Sequence, residues 1–233
     1  MKQLIFAAAL CICAGSQAFA QLGRTEFHNN VVNNAFFTVK EFGNKTGKTT
    51  EGTVYLNEKW YLGTIYLKSG HVIKDFAMNY DVEHNMIEVE TKDGIKVLPG
   101  SNAAKFTIWN GFKTDSLIYV NCDAYSFNNI RHLGFYSVLQ QGPKIQLLQR
   151  SDIQVLKANY NAITNSGYKN DRIIKKEKVY VAVGKNVTEV KDNDDFNIFG
   201  AQQEAIKEYA KTHKLKLKRK EDAAKIIAYY NSI

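Results

Sequence analysis

The strongest concentration of charge in this sequence is a basic run near its C-terminal end. Seven of the ten residues from Lys211 to Lys220 are Lys, Arg or His, and such a cluster attracts phosphate groups and other anions. The candidates for binding an anion are Lys214, Lys216, Lys218 and Arg219. One interpretation is a solvated connection between two helices. The other is contact with anionic lipid head groups, in which Leu215 and Leu217 add apolar contact.

The same run also suggests DNA binding, because it lies between two predicted helices. However, the turn of a helix-turn-helix is short and often contains glycine. We therefore expect no nucleic-acid partner.

Trp60 and Trp109 are the two tryptophans of the chain. Together with the tyrosines they could form a stacking platform for sugars. Aromatic side chains at this spacing in strands more often pack in a core or against a neighbour across the sheet. Both interpretations stay open at the level of sequence.

The sequence carries no recognisable motif for a metal, a cofactor or a catalytic nucleophile. Segment 43–49 resembles a phosphate-binding loop, but three residues separate its first glycine from the Gly-Lys pair where such a loop has four. The five histidines form no local pair at zinc-ligand spacing, and Asp192–Asp195 lacks the glycine and glutamate that follow in a calcium-binding loop. We expect no cofactor and no metal, name no catalytic residue, and favour a protein without enzymatic activity.

The elements that would position these residues are mainly strands. Gly52–Leu56 and Gly63–Leu67 are rich in the β-branched and aromatic residues that favour strands, and Lys92–Gly94 is typical of a tight hairpin turn. Further along, 126–191 is β-leaning but less regular. Its polar, Asn-rich segment 158–172 is predicted to be a loop.

The final segment changes to a helical pattern. Phe199, Ile206 and Tyr209 recur at helical spacing, and a second apolar set does so around Ile226. Asp195 or Asn197 can cap the first of these helices.

These patterns predict a mainly β protein of the α+β class. Its fold would be an antiparallel sandwich or barrel-like sheet followed by a C-terminal pair of helices. We divide the chain into an antiparallel β region at 21–125, a second β region at 126–191 packed with the first, and a helical tail at 192–233.

The first twenty residues have the layout of a secretory signal peptide. Lys2 precedes the apolar run 4–14, and Ala18–Ala20 places small residues before Gln21. The run is too short to span a bilayer. We expect an exported protein, in the periplasm or outside the cell, including the periphery of an outer membrane, with no transmembrane segment in the mature chain.

Removal of that segment would take away Cys11 and Cys13 and leave Cys122 alone, so the mature chain could form no internal disulfide. The pattern favours a buried, small hydrophobic Cys122 over a catalytic thiol.

A resemblance supports this layout. The run from Glu208–Leu217 to the closing Tyr229–Ile233, together with Gly52–Leu56 and Lys92–Gly94, resembles a group of exported proteins common in Bacteroidetes. The resemblance implies export and a sheet followed by helices, and it transfers no functional residue.

Three functions fit the sequence. The preferred one is a non-enzymatic exported protein that binds another protein or an envelope component. The alternatives are a binder of a small lipid or glycan in the concavity of the sheet, and an enzyme with a dispersed site. The net charge of the protein is +8, which favours anionic lipid head groups and acidic glycans as partners.

Overall fold

Among the residues that the structure describes, the fold is one large sheet of twelve strands followed by two α-helices. A computed structural model describes residues 36–38, 50–109, 116–128, 130–193 and 195–233. The predicted class is confirmed, because the chain is mainly β, belongs to the α+β class and ends in a pair of helices. The predicted signal peptide and segment 43–49 lie outside the described residues.

The strands of the sheet are between two and thirteen residues long. In chain order they are β1 (Phe37–Thr38), β2 (Thr50–Glu51), β3 (Tyr61–Leu67), β4 (Val72–Asp81), β5 (Met86–Thr91), β6 (Gly94–Pro99), β7 (Ala103–Trp109), β8 (Leu117–Asn121), β9 (Phe135–Gln140), β10 (Gln146–Leu156), β11 (Asp171–Val183) and β12 (Asn186–Glu189).

Two antiparallel meanders build this sheet and meet at the pair β3–β7. Strands β3 to β6 are neighbours in order, and β1 adds to the edge of β6. The chain then returns to β3, and β7 to β12 form the second meander. The predicted hairpin turn is present between β5 and β6. Gly94 there has a φ of 106°, which side-chain-bearing residues rarely adopt.

Residues 50–56 link the two meanders where the sheet curls. Strand β2 runs parallel to the start of β11. The N–H of Leu56 donates to the carbonyl of Tyr80 on β4 at 2.8 Å, and the ammonium group of Lys175 on β11 donates to the carbonyl of Leu56 at 3.1 Å. This link joins β11 to β4 and gives the sheet a concave inner face.

The helices α1 (Gln203–Thr212) and α2 (Lys220–Ser232) cover the part of the inner face formed by β10 and β11. The buried side chains of this core are Ile145, Leu147, Val181, Val190, Phe196, Phe199, Ile206, Ala210, Leu217, Ala223, Ile226 and Ile227. A second buried cluster lies on the opposite face of the same strands and consists of Cys122, Tyr136, Leu148, Tyr180, Ala182 and Val187. Both faces of β10 and β11 are therefore buried at this end of the sheet.

The hairpin formed by β10 and β11 extends beyond β9. The two strands pair over eleven positions, from Gln146 opposite Ala182 to Leu156 opposite Arg172. Strand β9 reaches along β10 only as far as Gln149. At the usual rise of a strand, the remaining residues of β10 carry the hairpin about 20 Å further.

Three local predictions require correction. Segment 158–172 is not a simple loop, because β11 begins at Asp171 and turn hydrogen bonds organise the residues before it. Gly52–Leu56 is not a full strand; Tyr55 makes only an isolated bridge to Asp81, since the segment passes between two strands rather than along one.

The first helix also begins later than its apolar spacing suggests. Phe196–Gln202 forms a 3₁₀ helix, and Gly200 breaks its geometry with a φ of 55°. Asp195 makes no side-chain cap there. The α-helical part therefore starts at Gln203.

Candidate functional site

A groove of about 350 Å³ with an aromatic wall lies on the inner face of the sheet. One wall is formed by Leu56 and Asn57 of the linking segment and by the end of β4. The other wall is the inner face of β8 to β11. We call it the concave groove; its lining consists of Leu56, Asn57, Tyr80, Val82, Leu117, Ile118, Tyr119, Phe135, Ser137, Val138, Leu139, Gln149, Ser151, Lys175, Glu177 and Lys220.

Aromatic rings form the base of the concave groove. Phe106 stacks on Tyr119 with ring centroids 4.6 Å apart and an interplanar angle of 11°. Phe135 meets the edge of Phe106 at 4.8 Å and that of Tyr80 at 5.2 Å. Burial raises the pKa of Tyr119 to about 12, so its hydroxyl stays neutral at ordinary pH. The base therefore offers apolar rings with neutral hydroxyl groups.

Neutral polar side chains line one side of the concave groove. Gln149 is only 7% exposed, and its backbone carbonyl accepts a hydrogen bond from Ser137 at 3.3 Å. Ser151 follows on the same face of β10. Opposite them, the carbonyl of Asn57 accepts from the side chain of Asn79 at 3.0 Å. These groups can hydrogen-bond to a ligand without requiring it to be charged.

Two lysine side chains at the rim of the concave groove have partners within the protein. Lys175 donates to the carbonyls of Tyr55 and Leu56, at 3.0 and 3.1 Å. Lys220 lies 3.5 Å from the carboxylate of Glu177. Lys220 therefore faces an acid, whereas Lys175 donates to neutral carbonyls and keeps its positive charge.

A smaller hollow of about 260 Å³ adjoins the groove and shares part of its lining, including Tyr80 and Ser151. Its lining also includes Glu83, Arg150 and Asp152. Gly134 lines the hollow beside Tyr80. Its φ of 95° disfavours residues with a side chain, and a Cβ there would come within 2.9 Å of the Tyr80 hydroxyl.

On the outer face, a polar aromatic cluster surrounds the single described cysteine. Arg150 pairs with Asp152 at 2.7 Å and points an N–H at the sulfur of Cys122 at 3.9 Å. Burial raises the pKa of Cys122 to about 12 despite this cation. Cys122 is 2% exposed, so the predicted buried, hydrophobic role fits its position and it is not a thiolate at ordinary pH.

His132 belongs to the same outer cluster. Its Nδ1 lies 2.6 Å from the hydroxyl of Tyr136, and its ring stacks on Phe127. Burial, and then the positive charge of Arg150, lower the pKa of His132. A neutral imidazole is therefore favoured in the folded protein.

A second group of titratable side chains meets where the linking segment crosses β4 and β5. The hydroxyl of Tyr55 lies 3.1 Å from the carboxylate of Glu88, and burial raises the pKa of Glu88. His84 contacts Asp81 through Nδ1 at 2.8 Å, and this hydrogen bond raises the pKa of His84. The same carboxylate accepts the N–H of His84 at 2.9 Å. These contacts cap the β4–β5 turn and anchor the linking segment.

The basic residues predicted to bind an anion, Lys214, Lys216, Lys218 and Arg219, all lie exposed on the connection between α1 and α2. Their apolar neighbours face the other way: Leu217 is fully buried and Leu215 packs against the same core. The expected apolar contribution of these two leucines to lipid contact is therefore wrong.

The two tryptophans are in different settings. Trp109 is 59% exposed and pairs across the sheet with Leu62, which is 56% exposed. Trp60 precedes β3 and is half-buried. Within the part of the chain that the structure describes, no ring contact joins Trp60 to Trp109, and neither residue lines the concave groove.

In the described ranges, no group of three or more His, Cys, Asp or Glu side chains is placed to hold a metal ion. The residues of the concave groove were not identified from sequence. Tyr119, Phe135 and Ser151 belong to ordinary alternating strands, and only the curl of the sheet brings them opposite Leu56. Strand alternation could have indicated their shared face, but not the facing wall.

Comparison with models of known protein families, with curated proteins and with solved structures finds no match to this chain. None of the helices among the described residues has the length and apolar character needed to cross a bilayer.

Proposed function

We propose that this chain is an exported, non-enzymatic binding protein whose concave groove holds a small, neutral, amphipathic molecule. The observation that carries the proposal is the lining of the groove. Aromatic rings at its base lie beside neutral hydrogen-bonding groups, and the groove is of a size that small-molecule sites commonly have. The expectation of export rests on the layout of residues 1–20.

The balance of the lining supports the chemical class of the ligand. Tyr119 and Phe135 suit an apolar ring or short acyl chain, and Gln149 and Ser151 suit a hydroxyl or amide group. Of the two rim lysines, Lys220 already pairs with a carboxylate and Lys175 is bonded to the linking segment, so the lining offers mainly neutral groups to a ligand. A short acyl conjugate or a small apolar glycoside fits these requirements.

A non-enzymatic role is proposed because the titratable groups serve structural contacts. Asp81 caps a turn, Glu88 accepts a hydrogen bond from the hydroxyl of Tyr55, and the buried thiol of Cys122 has a raised pKa. None of these three groups lines the concave groove.

The test is native mass spectrometry of protein purified gently from its natural envelope. We expect a non-covalent adduct of a small neutral molecule that is lost on denaturation, and that is depleted in the variant Ser151→Phe. A spectrum with the bare chain alone, from protein never exposed to detergent or denaturant, would contradict the proposal.

A further inference from the structure

The distal end of the β10–β11 hairpin carries an exposed apolar tip. Ile163 is 96% exposed, the most exposed large hydrophobic side chain of the described residues. Tyr160 and Tyr168 flank it and are 38% and 48% exposed. Every residue from 157 to 169 is exposed.

Hydrogen bonds fix the shape of this tip. Asn161 pairs with Ser166 in an isolated bridge, and the side chain of Asn161 accepts the N–H of Ile163 at 2.9 Å. The hydroxyl of Tyr160 donates to the side chain of Asn165 at 2.8 Å. The tip therefore presents Ile163 in a set conformation, which lowers the entropy cost of binding a partner.

Positive charge exceeds negative charge at the tip. No Asp or Glu occurs from Gln154 to Asn170. Lys169 lies over the ring of Tyr160 at 4.9 Å, and Arg172 lies over the ring of Tyr168 at 4.4 Å. Two of these cations pair with the nearest acids, Lys157 with Asp171 at 2.8 Å and Arg172 with Glu51 at 3.7 Å, so one positive charge remains in excess.

We propose that this tip, residues 157–170, docks on an anionic lipid surface, with Ile163 entering the interface between the head groups and the acyl chains. Tyrosine rings favour the same interfacial depth, and lysine and arginine at their edges suit lipid phosphates. The excess of positive charge, with Lys169 left without an acidic partner among these residues, favours an anionic membrane as the partner. The inference is independent of the ligand in the concave groove.

The test is co-sedimentation of the full chain with two types of vesicle, one of phosphatidylcholine alone and one of phosphatidylcholine mixed with phosphatidylglycerol. We expect Ile163→Ser to weaken binding about tenfold, as burial of an isoleucine predicts. Lys169→Gln should weaken it about fivefold, and added salt should weaken it further. Ile163→Trp should bind at least as tightly as the parent, because tryptophan favours the interface.

The matched controls lie at the opposite end of the same strand. Val183 is 52% exposed and Lys185 follows it in the β11–β12 turn. Val183→Ser and Lys185→Gln should bind vesicles as the parent does. All variants share one N terminus, so any contribution of the apolar run 4–14 is common to them.

The proposal is overturned if the parent binds neither vesicle type, which would favour a protein partner for the tip. It is also overturned if neutral phosphatidylcholine vesicles bind equally well, or if the tip variants match the controls. A loss on Lys214→Gln, Lys216→Gln and Lys218→Gln together, with none at the tip, would assign lipid contact to the α1–α2 connection instead.

Discussion

The ammonium group of Lys175 lies 3.1 Å from the carbonyl oxygen of Leu56, 119 positions away in the chain. This contact holds the linking segment against β11 and fixes one wall of the concave groove. The other edge of the segment is held by the hydrogen bond from Leu56 to Tyr80. The shape of the groove therefore depends on a contact between distant parts of the sequence.

Replacing Lys175 should loosen this wall. Lys175→Met removes two charge-assisted hydrogen bonds, and because the side chain is exposed we expect a loss of about 1 kcal/mol in the free energy of unfolding. Amide exchange at Leu56 should also become faster. Urea denaturation and hydrogen exchange measure these effects. Lys176→Met, one residue along on the opposite face of β11, is the control, and equal effects from both variants would contradict this role.

This contact also shows where prediction from sequence ends. The Lys92–Gly94 turn and the two helices were predictable, because turn chemistry and apolar periodicity are local. The pairing of β3 with β7 and the position of Leu56 opposite Ser151 depend on the curl of the sheet. No local pattern encodes that curl, so the groove could not be predicted from the sequence.

Asn231 should be the main polar anchor of α2. Its side-chain oxygen accepts the N–H groups of Lys144 and Ile145 at 3.0 and 3.1 Å, and its amide donates to the carbonyls of Ile145 and Ile227 at 2.9 Å each. We expect Asn231→Ala to cost about 2 kcal/mol in the free energy of unfolding, because it leaves partly buried backbone groups unpaired. Thermal and urea unfolding measure this cost.

The control for Asn231 is its neighbour in α2. Ser232 is exposed and bonds only to the carbonyl of Tyr229 in its own helix. Ser232→Ala should leave stability nearly unchanged. If Asn231→Ala lowered the free energy of unfolding no more than Ser232→Ala does, Asn231 would not anchor α2.

Cys122 should resist thiol reagents in the folded protein. Burial raises the pKa of its thiol to about 12, so almost no thiolate forms at pH 8. We expect Cys122 to stay unmodified by iodoacetamide under native conditions and to be modified in urea, as peptide mapping would detect. Rapid labelling of native protein at this residue would show that the cluster around Arg150 is open to solvent.

The pKa values of His84 and His132 should be shifted in opposite directions from the ordinary value of histidine. The pKa of His84 is raised by its hydrogen bond to Asp81, whereas the pKa of His132 is lowered by burial and by Arg150. NMR titration should therefore give His84 a pKa above the ordinary value of about 6.5 and His132 a pKa below it. The reverse order would contradict the structure.

The consequence for stability follows from linkage. Below about pH 6.5 the unfolded chain takes up a proton at His132 before the folded chain does, so acid reduces the contribution of His132 to stability. His84 acts in the opposite sense: its contribution is full below that pH and is lost as the pH rises through its raised folded-state pKa. Comparing His132→Asn with His84→Asn across this range separates the two effects.

Binding of a small neutral amphipathic molecule in the concave groove can be measured with a fluorescent probe. N-phenyl-1-naphthylamine is neutral, has two aromatic systems and one N–H, and brightens when it leaves water. We expect saturable brightening with the parent and with Gln154→Phe, an exposed position on the other face of β10. We expect loss of that brightening with Ser151→Phe, whose ring would fill the groove. Equal probe binding by Ser151→Phe and Gln154→Phe, with both variants folded, would show that the groove is not the binding site.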